Sequence, residues 1–233
     1  MIDVRRLARG LTLACWAGFF VWLHLSGEKT RYLGPRTYWV IVFGAVVLGA
    51  AAAAHLLTLR TPSPRGLDRS DVTGLATLLV PLLAVAAVPS AQLGALAASR
   101  KSSGAGAAAV GAIAPPVPEA GAALSFVDVH YASESESYAA SAGIAEGMEI
   151  ELTGFVTHGG DLPAGTFGLT RFQVSCCAAD AVPYTVPVVA DPGSRGDDEW
   201  LRVTGRLVLR DGVYSLDPSE IAETDAPADP YLY

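Results

Sequence analysis

One stretch of the sequence gathers side chains capable of chemistry: Arg171-Phe172-Gln173-Val174-Ser175-Cys176-Cys177-Ala178-Ala179-Asp180. Two thiols and a carboxylate together suit a borderline ion such as Zn²⁺ or a similar transition metal, with His158 or His130 as candidate imidazoles. Neighbouring residues of a strand point to opposite faces, so Cys176 and Cys177 can share an ion only where the strand ends or bulges. Ala178-Ala179-Asp180 offers such a break and would turn Cys177 and Asp180 to one side. Two other readings stand beside a metal site: small buried core cysteines, and a vicinal disulfide. An oxidising exterior favours the disulfide, and the strain of a ring between neighbours opposes it. Arg171, on the face opposite Phe172, is read as a solvated partner of Asp180 or as an anion ligand.

The rest of the chain adds no catalytic pattern. G-x-S-x-G, H-E-x-x-H, P-loop and G-x-G-x-x-G motifs are all absent and histidines number four, so the sequence predicts a binding protein and not an enzyme. Asp197-Asp198-Glu199, with Asp191 nearby, lacks EF-hand spacing and reads as a solvated loop. His158-Gly159-Gly160-Asp161 reads as a turn.

Strands must position the cysteines. Met148, Ile150 and Leu152 alternate with acids and Thr153, then bend at Gly154, which predicts a half-buried strand. Residues 167–177 predict a second strand, with Phe172, Val174 and Cys176 on one face. Residues 184–189 form a third, placed at an edge by Pro187. Residues 200–209 form a fourth, and Arg210-Asp211-Gly212-Val213 turns it into a fifth from Tyr214 towards Ile221. Five short strands, with Thr-Gly pairs in the first and fourth, predict a small barrel of the OB type. Residues 124–144 fit either a short helix on that barrel or an irregular lead-in.

The N-terminal half of the chain has a different solvent. The protein has 233 residues, 51% of them hydrophobic and 17% charged. Eleven Lys and Arg against four Asp and Glu precede Glu119, a balance of +7, while five against nineteen follow from there, a balance of −14. An acidic domain repels phosphate, which disfavours nucleic acid as a partner. Apolar segments at about 7–25, 38–59 and 75–98 predict three transmembrane helices in residues 1–98, the last kinked at Pro81 and Pro89. Gly44 and Gly49 give the second a small-residue face for a neighbouring helix. Cys15 reads as a small side chain within the first span, and His55 as interfacial. Residues 99–123, rich in Ala, Gly, Ser and Pro, predict a tether, and 124–233 the β domain. With the N-terminus cytoplasmic, six basic residues fall inside and five outside. Three spans then put the C-terminal domain outside the cell membrane.

This layout resembles the YcgQ-like family of permease subunits, whose molecular function is unknown. The resemblance rests on Arg171-Phe172 leading to Cys176-Cys177-Ala178-Ala179-Asp180, Trp200 before Val203-Thr204-Gly205, and the ending Asp229-Pro230-Tyr231-Leu232-Tyr233. It implies three spans, a C-terminal β domain and a multi-span permease as partner in the bilayer. In the family pattern His or Cys stands at the position of Cys176, an exchange that metal ligation tolerates and plain packing does not. Some members carry a His-rich loop after the second span; residues 61–70 here hold no histidine, which argues against a cytoplasmic metal-sensing role. The sequence thus predicts a membrane-anchored accessory subunit of a permease, with an external domain that handles a metal ion or small solute. The alternative is a standalone cell-surface metal- or thiol-binding protein.

Overall fold

The structure, a computed structural model, describes residues 2–60, 66–87, 92–102, 115–119, 121–159, 162–191 and 193–233. The chain divides into two compact units, Met1–Ala91 and Gln92–Tyr233.

The first unit is helical. α1 (Val4–Leu25) starts at Asp3, whose carboxylate accepts the Arg6 amide at 3.0 Å. α2 (Tyr38–Leu57) returns antiparallel to it, and the Asp3 amide donates to the Leu59 carbonyl at 3.0 Å. The small-residue face expected on α2 receives α1, because a Cβ added at Gly44 would lie 3.2 Å from the Phe20 ring. The segments Val4–Leu25 and Pro35–Leu57 are long and apolar enough to cross a membrane. The third segment departs from expectation. α3 (Arg69–Ala87) starts six residues before the expected 75 and opens on Arg69, Ser70 and Asp71, so it lacks the apolar length of the other two. Pro89 and Ser90 lie outside the described residues. Residues 92–98 belong to the second unit, where α4 (Ala95–Ser102) forms, so the single span expected over 75–98 divides between two helices.

The second unit begins with α4; the described residues of the predicted tether then lead to α5 (Phe126–Glu134) and α6 (Glu136–Ala142). Ser125 and Asp128 make a capping box at the start of α5, and Ser135 ends that helix and caps the next. The ambiguous lead-in is therefore two short helices, whose Phe126 and Val129 are buried. Five strands follow: β1 (Glu149–Thr157), β2 (Phe167–Gln173), β3 (Val182–Val188), β4 (Trp200–Arg210) and β5 (Val213–Glu223). They close into a barrel in the order β1-β2-β3-β5-β4. β1 runs antiparallel to β2 and β4, while β3 meets β5 in parallel through one pair, Val188 with Leu216.

That single pair closes the barrel and leaves the rest of β3's second side without a ladder partner, as expected of a strand placed at an edge. Pro183 and Pro187 pair with β2, and their missing N–H groups cost nothing because β5 touches β3 only at its end. The fourth strand bends where its Thr-Gly pair predicts, at a bulge between Thr204 and Gly205, and a Cβ on Gly205 would collide with the Asp217 backbone. Asp211 and Gly212 both take positive φ in the β4–β5 turn, as a tight hairpin requires.

Alternation gives β1 and β2 two buried faces. Leu152, Val156, Phe167 and Leu169 join the principal core with Val203, Leu207 and Leu216. Phe155, Phe172 and Val174 form a second cluster with Ala95 and Ala98 of α4, Ala181 and Tyr231. This second cluster supports the candidate site.

Candidate metal centre

β2 stops at Gln173, four residues before the predicted end at Cys177, because Gln173 and Val182 are the last pair of the β2–β3 hairpin. Residues 174–181 are the loop that closes it. Its amides turn to Asp180 instead of a neighbouring strand: Ser175 N–H donates to Oδ1 at 3.1 Å, and Cys176 and Cys177 N–H donate to Oδ2 at 2.8 and 3.4 Å. This wraps the backbone around one carboxylate and removes the alternation that would separate the two thiols. Their sulfurs stand 3.7 Å apart. One donor atom each from Cys176, Cys177 and Asp180 lies within 4.8 Å of the others, the one such group among the described residues. Cys176 is exposed and Cys177 partly so, which answers the buried-core alternative.

The electrostatics follow from this cradle. Burial works to raise the Asp180 pKa, yet hydrogen bonds from the Cys176 thiol and from the amides of Cys176, Ser175 and Cys177 outweigh it and hold the carboxyl below its ordinary range. The Cys176 thiol is pushed up to about 12, chiefly by its hydrogen bond to Asp180 and then by that to Cys177. A carboxylate has four lone-pair sites. Three amides occupy three of them, and the Cys176 thiol works on the carboxylate from the remaining side.

Arg171 serves a different purpose from either expectation. Its guanidinium donates to the carbonyls of Asp229 at 2.7 Å, Pro230 at 3.2 Å and Thr153 at 3.4 Å, and lies over the Trp200 ring at 6.0 Å. It holds the C-terminal tail and does not pair with Asp180. The tail then adds to β2: Leu232 N–H donates to Phe172 O at 2.8 Å, and Val174 N–H to Leu232 O at 2.9 Å. Phe172 and Trp200 both contact Phe155 at ring-centroid distances of 5.8 and 5.7 Å. The three motif stretches of the sequence thus meet in one neighbourhood that holds the end of β2 in place.

The histidines do not join the thiols. His158 Nδ1 lies 2.9 Å from Asp197 Oδ1, and His130 Nε2 lies 3.3 Å from a Glu134 carboxylate oxygen. Asp198 caps α4 by accepting the Ala95 amide, which accounts for another acid of the run at 197–199. Lys101 is a residue that sequence reasoning passed over as belonging to a tether. Its ammonium donates to the carbonyls of Ala179 at 2.9 Å, Ala181 at 3.0 Å and Ala178 at 3.5 Å, the turn that presents Asp180. Small residues three apart, Ala95 and Ala98, before a basic helix end are the signal that could have found it.

Residues 118–233 match the family described as the DUF1980 C-terminal domain. This region of the chain belongs to that family. No curated protein and no solved structure gives a significant match to the chain. The DUF1980 domain, whose function is unknown, therefore contains the cysteine loop and the tail that Arg171 holds, while Lys101 reaches the loop from outside the matched residues.

Proposed function

We propose that the chain is a membrane-anchored accessory subunit of a multi-span permease, and that its external DUF1980 domain takes up and passes on a transition-metal ion such as Zn²⁺ at Cys176, Cys177 and Asp180. The observation that carries the proposal is the 3.7 Å separation of the two sulfurs beside a carboxylate. Two thiolates bound to one tetrahedral Zn²⁺ at ~2.3 Å stand roughly 3.7–3.8 Å apart, so the loop already has the required bite. Three protein donors leave a fourth position for water or for a donor from a partner, which suits transfer better than permanent structure. The metal is cargo in this reading and the role is binding, not catalysis.

The other elements of the proposal have their own support. The closed order β1-β2-β3-β5-β4 with parallel β3 and β5 supports a barrel of the OB type. The apolar lengths of α1 and α2 support anchoring in the cell membrane, with α3 as a third span whose charged first turn sits at the interface. A cytoplasmic N-terminus and an odd number of spans put the DUF1980 domain outside. The family resemblance supports the permease partner.

Zinc titration of the detergent-purified full chain against a chromophoric chelator should show one ion per chain, lost in Cys176→Ser and in Cys177→Ser. Binding unchanged in both variants, or absent from the parent, defeats the metal reading. Affinity capture from solubilised membranes should bring down a multi-span protein in fixed ratio; its absence leaves a standalone cell-surface protein.

A further inference from the structure

The helical unit contains a cavity of about 480 Å³ between α1, α2 and α3. That lies within the roughly 300–1,000 Å³ of ligand sites. Its lining is divided. Arg9, His55, Ser70 and Asp71 lie at one end, and Trp16, Leu75 and Leu78 line its depth, a turn or two further along the helices. The Trp16 indole N–H donates to the Leu78 carbonyl at 3.0 Å, so the ring is fixed as a wall. Gly74 also lines the cavity, and a Cβ added there would meet no atom within 4 Å.

The polar end is basic. Asp71 Oδ1 lies 2.6 Å from Arg5 Nε and 3.0 Å from Arg9 Nη2, and Arg5 also faces the exposed Asp68. Arg6 pairs with Asp3 at 3.8 Å and donates to the Thr58 carbonyl at 2.9 Å. Counting Arg60 and Arg69, the described residues at this end of the helices hold five arginines against three aspartates, an excess of two positive charges before His55 is considered.

We infer that this cavity is a binding site for one anionic phospholipid of the cytoplasmic leaflet, its phosphate at Arg9 and His55 and an acyl chain against Trp16, Leu75 and Leu78. Helix-flanking basic residues attract anionic headgroups, and the apolar continuation of the cavity suits a chain and not a free anion. The inference rests on the reading that α1 to α3 lie in a membrane.

The test uses the full chain, released from membranes in mild detergent, with bound lipid counted by native mass spectrometry after supply of phosphatidylglycerol or phosphatidylcholine. Wild type should retain one phosphatidylglycerol in preference to phosphatidylcholine, undisplaced by excess inorganic phosphate. Arg9→Gln should cut that preference about fivefold, the weight of one basic contact at a membrane surface. Gly74→Leu, which fills the space and leaves every charge in place, should reduce retention of both lipids. Equal retention of the two lipids, displacement by phosphate, or indifference to both substitutions overturns the inference. Carbonate extraction of the chain from native membranes is the separate control: a chain that stays in the pellet without selective lipid defeats the lipid site alone, and a chain that leaves the pellet defeats the membrane reading too.

Discussion

Asp71 in the helical unit and Asp180 in the DUF1980 domain are both carboxylates on which a local structure converges, and they are satisfied in opposite ways. Asp71, with its side chain 3% exposed, takes two guanidiniums, from Arg5 and Arg9. Asp180 takes three backbone amides and a thiol proton, and no cationic side chain bonds to it among the described residues. Dipoles stabilise a negative charge without cancelling it. Asp71 is therefore consumed in joining α3 to α1, whereas Asp180 keeps its formal charge, which the proposed metal site would draw on.

The largest effect expected from this difference is at Asp71. Asp71→Asn leaves two guanidiniums without their shared counter-charge. Breaking a fully buried pair costs roughly 3–5 kcal/mol, and partial exposure of both arginines brings the expectation to about 3 kcal/mol. Unfolding of the helical unit by a graded denaturing detergent should show it, together with earlier protease cleavage before α3. A loss below about 1 kcal/mol would make Asp71 a bystander and remove its half of the comparison.

A smaller effect is expected at Lys101, which holds the Asp180 turn through three carbonyls. Lys101→Met removes a positive charge near the donors, which favours a cation slightly, and releases the turn, which disfavours it. The ammonium is close to solvent, so the charge effect is screened, and loss of positioning dominates. Zinc affinity should fall about tenfold in the chelator titration. A rise would mean that Lys101 acts by charge alone.

The sequence disclosed the barrel better than the loop for a physical reason. Side-chain alternation in Ile150, Leu152 and in Phe172, Val174 reports burial, and the Asp211-Gly212 pair reports a turn, so strands and hairpin were legible. The site residues Cys176, Cys177 and Asp180 were legible as donor types, but their convergence depends on where the ladder stops. Extending alternation through Cys177 overran β2 by four residues, because pattern does not register that three amides are captured by a side chain three to five residues on. Arg171 was legible as unusual and misread in role, since its partners are main-chain carbonyls 18, 58 and 59 residues away, which have no sequence signature. Lys101 was hidden by the low-complexity composition around it. In the N-terminal half, apolar length alone joined 75–98 into one span, although α3 ends at Ala87 and Ala95 and Ala98 are core residues of the other unit.

The smallest effect separates the two carboxylates by pH. Asp180 has a folded pKa below its unfolded value, so it contributes stability that is present above the unfolded pKa of about 3.9 and is lost as pH falls through the folded value. The group is partly exposed, which keeps the contribution near that of a helix cap, about 1 kcal/mol. Asp180→Asn should therefore lower the midpoint of thermal unfolding of the metal-free DUF1980 domain, followed in the full chain, by about 2–4 °C at neutral pH. As pH falls below about 4 and on through the lower folded value the two curves should draw together, because the parent carboxyl then becomes neutral as well. Hydrogen exchange localises the change: the amides of Ser175, Cys176 and Cys177 should lose protection in the variant at neutral pH, and in the parent only under acid. If the variant's deficit persisted unchanged at pH 3, shape and not charge would hold the loop, and Asp180 would have no more claim to a cation than Asp71.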